Sequence, residues 1–143
     1  MPFTGPLEDR ILIRERFGSY AAATFRCDVE AYLACWREDG IRRQGDQQAS
    51  GKSGLRAHWE SAWQHLDKMT FFAEIGAIEI SGDRATTRSY CREILFLKNG
   101  GVRKVVGQYD DVLVRQDGDW LFARKAYRLL MDEGTRGGLG ISA

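Results

Sequence analysis

The chain has 143 residues, 43% of them apolar or aromatic and 29% charged, with two prolines. Such a chain folds as one globular domain with a sizeable core, and its composition excludes collagen, coiled-coil and disordered classes. Lysine plus arginine totals 21 against 20 acidic residues, a formal net charge of +1. A nucleic-acid binder gathers cations into a stripe to displace phosphate counterions, whereas here the signs are mixed along the whole length.

No apolar run is long enough to span a bilayer. Residues 1–20 hold Glu8, Asp9, Arg10, Arg14, Glu15 and Arg16 where a secretion signal requires an apolar stretch. The expectation is a cytoplasmic protein with neither membrane nor nucleic-acid partner. Cys27, Cys35 and Cys91 form no C-x-x-C pair, and two histidines supply no zinc spacing, so no metal and no cofactor is expected. The cysteines read as small buried reduced thiols. One domain should fill residues 1–143, with its core over about 7–131 and a glycine-rich tail over 132–143 that frays.

Residues 7–25 contain few breakers and put Ile13, Phe17, Tyr20 and Thr24 on one helical stripe, which predicts a first helix. Asp28 is placed to cap a second helix over 29–38, amphipathic through Val29, Tyr32, Leu33 and Trp36. Residues 41–50 are polar and hold a short strand or loop. Ser53 would cap a third helix over 54–67, with Leu55, Trp59, Trp63 and Leu66 on its apolar side and His58 and His65 facing solvent. After Lys68 the texture becomes that of strands: 69–80, 84–97, 102–115 and 120–131, parted by glycine-containing turns such as Asn99-Gly100-Gly101. Three helices followed by a long antiparallel meander is an α+β arrangement with the helices on one sheet face. Strands this long need bulges and coiling, and a curled sheet closed by helices makes a cone with an internal cavity. Small molecules bind in such cavities.

Certain short motifs follow one another in a definite order. They are Asp28 after the first helix, Gly51 ahead of a helix, Gly82-Asp83-x-Ala85, Gly107-x-Tyr109-x-Asp111, and Asp117-Gly118-x-Trp120 followed by Arg124. Over about residues 7–131 the chain thereby resembles the SnoaL-like branch of the nuclear-transport-factor-2-like superfamily. That branch includes scytalone dehydratase, bile-acid dehydratase, lindane dehydrochlorinase, polyketide cyclases, ketosteroid isomerases and non-catalytic binding domains. The resemblance implies a cystatin-like cone, a curved antiparallel sheet with three N-terminal helices enclosing a cavity. In dehydratase-like members it further implies a tyrosine late in helix one, a catalytic aspartate five residues on, a histidine early in the first long strand and an arginine on the last strand. Tyr20 and Arg124 fall at the tyrosine and arginine positions. Phe25 stands at the aspartate position, and Phe71 at the histidine position, with Thr70 or Phe72 one residue away as alternatives. Both halves of the Asp–His general base are therefore missing.

General acid–base work needs groups whose protons move near neutral pH. The polar candidates left are Tyr20, Asp28, Tyr32, Tyr90, Arg92, Glu93, Tyr109, Asp111 and Arg124. Tyr20, Arg124 and Asp111 are taken as catalytic candidates, and Phe25, Tyr32, Trp36, Trp59, Trp63, Phe71, Tyr90, Arg92 and Tyr109 as ligand-binding ones. Asp28 reads first as a helix cap, and Asp111 with Arg124 reads either as a cross-strand ion pair or as a polar site inside the cone. Tyr90 and Arg92 share one face of their strand, and alternation alone does not say which. Three functions stay open. One is an enzyme of dehydratase, isomerase or cyclase type with a tyrosine or arginine on an enolate-like oxygen. The second is a non-catalytic pocket for a small hydrophobic or aromatic molecule, and the third an assembly subunit like the small subunit of ring-hydroxylating dioxygenases. A homodimer is expected through the outer faces of the long strands, where Val102, Val106, Val112 and Val114, or their odd-numbered neighbours, need cover.

Overall fold

Ile13, Phe17, Tyr20 and Thr24 form the buried stripe of helix α1 (Leu7–Phe25), where helical spacing predicts it. The computed structural model describes residues 2–133. Asp9 in the first turn of α1 is pinned from two sides, by Trp120 Nε1 at 3.1 Å and Arg115 Nη1 at 2.8 Å. Asp28 caps α2 (Val29–Leu33) by accepting from the Ala31 amide at 3.0 Å. That helix stops short of the expected 38. Trp36 instead opens strand β2 (Trp36–Gln44) opposite Phe122, and burying its indole almost completely overrides the local helical pattern. Strand β3 (Gln47–Ser50) closes a hairpin on β2, and α3 (Gly51–Trp63) begins three residues before the expected Gly54. Gly51 turns the chain into it with φ of +73°, a conformation that favours glycine.

Strands β4 (Leu66–Ser81), β5 (Arg84–Leu97), β6 (Val102–Gln116) and β7 (Asp119–Asp132) run as the expected antiparallel meander. The sheet as a whole is mixed. A short strand β1 (Phe3–Thr4) joins β4 in parallel, and β2 joins β7 in parallel, giving an open seven-stranded order β1-β4-β5-β6-β7-β2-β3. The helices are also not all N-terminal to the sheet, since α3 follows β2 and β3. All three pack on one face over a core that includes Ile13, Leu55, Ile78, Leu113 and Phe122. Among the described residues no helix is long and apolar enough to cross a membrane. Cys35 and Cys91 are buried, but Cys27 is exposed in the turn after α1, against the expectation of three buried thiols.

One register shift decides what reaches the interior. Leu113 lies opposite Phe122 and Val112 opposite Arg124, so Ala123 is an extra residue and side-chain alternation flips beyond it. Counting by twos from Trp120 and Phe122 puts Arg124 inside. The bulge puts Lys125 there, 1% exposed, and leaves Arg124 exposed on the outer face.

Candidate functional site

Between the helices and the inner face of the sheet lies a cavity of about 390 Å3, within the range of small-ligand sites. Its walls are largely apolar. Trp59 and Trp63 of α3, with ring centroids 5.7 Å apart, line it together with Met69 and Phe71 of β4 and Leu95 of β5.

Arg42 anchors the polar end. It faces inward because β2 pairs it with Lys125. Its Nε donates to His58 Nε2 at 3.0 Å and its Nη1 to the Tyr109 hydroxyl at 3.0 Å. A guanidinium carries five N–H donors, so three are left over for a ligand. No carboxylate among the described residues forms an ion pair with it. Burial works against its charge, but a guanidinium keeps its proton even here, and the hydrogen bond to the Tyr109 hydroxyl favours the charged form.

His58 accepts at Nε2, which places its own proton on Nδ1. Burial first, and then the Arg42 charge, draw it below the usual imidazole range, so it stands neutral as a prop for Arg42. Burial pushes the phenols of Tyr20, Tyr32, Tyr109 and Tyr127 upward, and each stays a hydroxyl near neutral pH. Burial also pushes the Cys91 thiol up to about 12, which leaves it unreactive. Glu93 of β5 lines the cavity opposite Phe71 and Val105, half-buried. Burial raises its carboxyl above the ordinary range against the pull of Arg42 and Arg103.

A second polar group lies deeper. Lys125 Nζ donates to Asp111 Oδ2 at 2.6 Å, and neither side chain borders the cavity. The rings of Phe17, Tyr20, Tyr109 and Phe122 surround the ammonium, with centroids 4.0–5.2 Å away. Burial raises the Asp111 carboxyl and lowers the Lys125 amine, and their mutual attraction opposes both shifts.

Of the residues singled out in the sequence, Tyr20, Tyr32, Trp59, Trp63, Phe71 and Tyr109 border the cavity. Trp36 lies in the core beside it, against Tyr32 and Phe122. The others lie elsewhere. Tyr90 and Arg92 project from the outer sheet face, while Ser89 and Cys91 point inward. Asp111 pairs with Lys125 rather than with Arg124. Phe25 is 46% exposed, and its ring meets Phe72 at 5.4 Å instead of lining the cavity with Phe71. Arg42 and His58 are additions. Arg42 belongs to a stretch too polar to show its inward face, and His58 borders the cavity beside Trp59 instead of facing solvent; exposed His65 also reaches the rim. Among the described residues no cluster of His, Cys, Asp or Glu could hold a metal ion.

The family model of the SnoaL-like domain matches residues 5–126. Among solved structures, a candidate aromatic ring hydroxylase from Novosphingobium aromaticivorans is 24% identical, with a TM-score of 0.85 over 94% of this chain and 98% of its own. A candidate scytalone dehydratase from the same organism is 22% identical, with a TM-score of 0.84 over 90% and 89% of the two chains. A ketosteroid isomerase-like protein from Erwinia carotovora atroseptica is 25% identical, with a TM-score of 0.79 over 88% and 99%. These likenesses establish a common cone fold. No curated protein matches the chain.

Proposed function

The chain belongs to the SnoaL-like domain family, and from that premise we propose that it binds a small aromatic or apolar molecule in the cone cavity and moves a proton within it, as a lyase or isomerase does. The observation that carries this reading is Arg42, a fixed guanidinium in a largely apolar cavity with no ion-pair partner among the described residues and three N–H groups to spare. An unpaired cation in such surroundings is expensive, and sites of function are where that expense is found. A ligand oxygen carrying partial or full negative charge would complete it. The Tyr109 hydroxyl accepts from Arg42 and still has its own proton to give. Two donors of this kind stabilise charge as it develops on an oxygen during proton transfer. The names of the solved neighbours, a candidate dehydratase and a ketosteroid isomerase-like protein, support the same class of reaction.

The lost Asp–His pair favours a second reading, a pocket that binds the same ligands without turning them over. Both readings share one test. Titration with β-naphthol, a planar phenol of suitable size, should quench the fluorescence of Trp59 and Trp63 in the cavity wall. Arg42→Met should weaken that binding roughly ten- to hundredfold, the usual value of hydrogen bonds to a charged group. Equal affinity in the two proteins would show that the oxygen is held elsewhere.

A further inference from the structure

We infer that Glu93 is the proton acceptor of this cavity, removing a proton from the carbon beside a carbonyl whose oxygen is held by Arg42 and Tyr109, and that the substrate class is an enolisable apolar ketone. This rests on the cavity reading above.

Three acids on the inner side of the sheet could serve as a base, and two of them are closed. Asp9 is bound by Trp120 and Arg115, and Asp111 is bound by Lys125 away from the cavity. Glu93 lines the cavity and has no hydrogen bond or ion pair among the described residues. Its place follows from the pairing. Cys91 and Glu93 turn inward on β5, opposite Gly107 and Val105, whereas Tyr109 lies opposite Ser89. Glu93 and Tyr109 are thus four residues apart along the sheet, about 13 Å at the rise of a strand. The two side chains are near enough to interact electrostatically, so leaning toward one another over the curved sheet they can address a carbonyl oxygen and the carbon beside it. One end of the cavity donates hydrogen bonds, the other accepts a proton, and the wall between them is aromatic.

His58 is the competing base, and its geometry argues against it. Its Nε2 lone pair is taken by Arg42, and its Nδ1 carries the proton. The groups around Glu93 are Arg42 on β2, His58 on α3 and His65 beyond it, Arg103 and Tyr109 on β6, Tyr127 on β7 and Cys91 on its own strand. Arg103 is engaged by Asp132 at 2.9 Å. Burial of Glu93 outweighs the two arginines and raises its affinity for a proton, which suits a base working near neutrality.

In the step itself the C–H bond breaks and Glu93 takes the proton. The C–H electron pair becomes the carbon–carbon double bond of an enolate. The carbonyl π pair moves onto oxygen, where Arg42 and Tyr109 meet its charge. Return of the proton from Glu93 to the same carbon gives exchange, and return to a conjugated carbon gives isomerisation.

The test uses the full chain in heavy water with β-tetralone, the protons on the benzylic carbon beside its carbonyl followed by NMR. The wild type should accelerate their exchange, with one rise in rate as pH carries Glu93 through its ionisation. Glu93→Gln should lose about 10²–10⁴-fold of that acceleration and the pH step, while binding β-naphthol within about threefold of the wild type. His58→Gln should keep the step. Wild type that binds β-naphthol but does not accelerate exchange would sink this inference and leave the cavity reading standing; no binding of β-naphthol would sink both. A Glu93→Gln rate within about threefold of wild type, or a step that disappears with His58, would assign the base elsewhere. Should Glu93→Gln not fold, Glu93→Asp withdraws the carboxylate by one methylene. A loss of at least about tenfold with the step retained supports the inference, and an unchanged rate overturns it.

Discussion

An ammonium and a carboxylate 2.6 Å apart, both shut away from water, make Lys125 and Asp111 depend on one another. Lys125→Met strands a buried carboxyl and Asp111→Leu strands a buried amine, and either change should cost about 3–5 kcal/mol in urea unfolding. Lys125→Met combined with Asp111→Leu should recover most of that loss, because apolar groups of similar volume often match a buried ion pair. Strict additivity of the single losses would show that the two do not act as a unit. Glu93 carries the opposite sign. Burial raises its folded-state carboxyl, so the folded protein holds that proton more tightly than the unfolded chain does. The resulting stability is complete below the unfolded carboxyl pKa and is lost as pH rises through the folded value. Glu93→Gln should therefore raise Tm relative to wild type near neutral pH, and the difference should close in acid. A Gln variant no more stable than wild type at neutrality would mean that Glu93 is not desolvated in the folded state.

At the scale of elements, local signals and distant pairings divide what the sequence reveals. Helix α1, the cap at Asp28 and the long strands with their glycine turns are legible because each is written within a few neighbouring residues. The release of Trp36 from α2 is not, since it answers to Phe122, and neither is the parallel placement of β2 beside β7. The site divides the same way. Aromatic residues on amphipathic stripes, such as Tyr20, Tyr32 and Trp59, point to a cavity wall by their spacing alone. Arg42 does not, because only the pairing of β2 with Lys125 turns it inward, and Arg124 misleads because one bulged residue inverts the count. Gly107 shows how tightly these registers are set. A Cβ there would overlap the ring of Tyr127, which itself borders the cavity. Gly107→Ala should cost about 1–3 kcal/mol through this overpacking, and should weaken β-naphthol binding as the ring is pushed from its place. Unchanged stability and unchanged binding would show that Tyr127 has room to yield.

For the molecule as a whole, the open question is what covers the outer face of the sheet, the side opposite the helices. The registers set Phe72, Arg92, Val106 and Met131 in one outward row and Glu74, Tyr90, Gln108 and Arg128 in the next. Phe72 is 60% exposed, Met131 55% and Tyr90 42%, so large apolar groups lie beside arginines on a surface that the helices leave open except where Phe25, at the end of α1, meets Phe72. Contiguous apolar surface with a polar rim commonly marks an interface, here edged by the Arg88–Asp110 ion pair at 2.8 Å. A second copy related by a two-fold axis would cover both faces at once, because each molecule presents the same patch. We expect sedimentation velocity at tens of micromolar to show a dimer. Tyr90→Glu together with Met131→Glu should shift it to monomer, since like charges would then meet across the axis in place of apolar contacts. β-Naphthol binding should survive that change, as the cavity lies on the other side of the sheet. A monomeric wild type at that concentration, or a dimer indifferent to both glutamates, would mean that this face is not the interface.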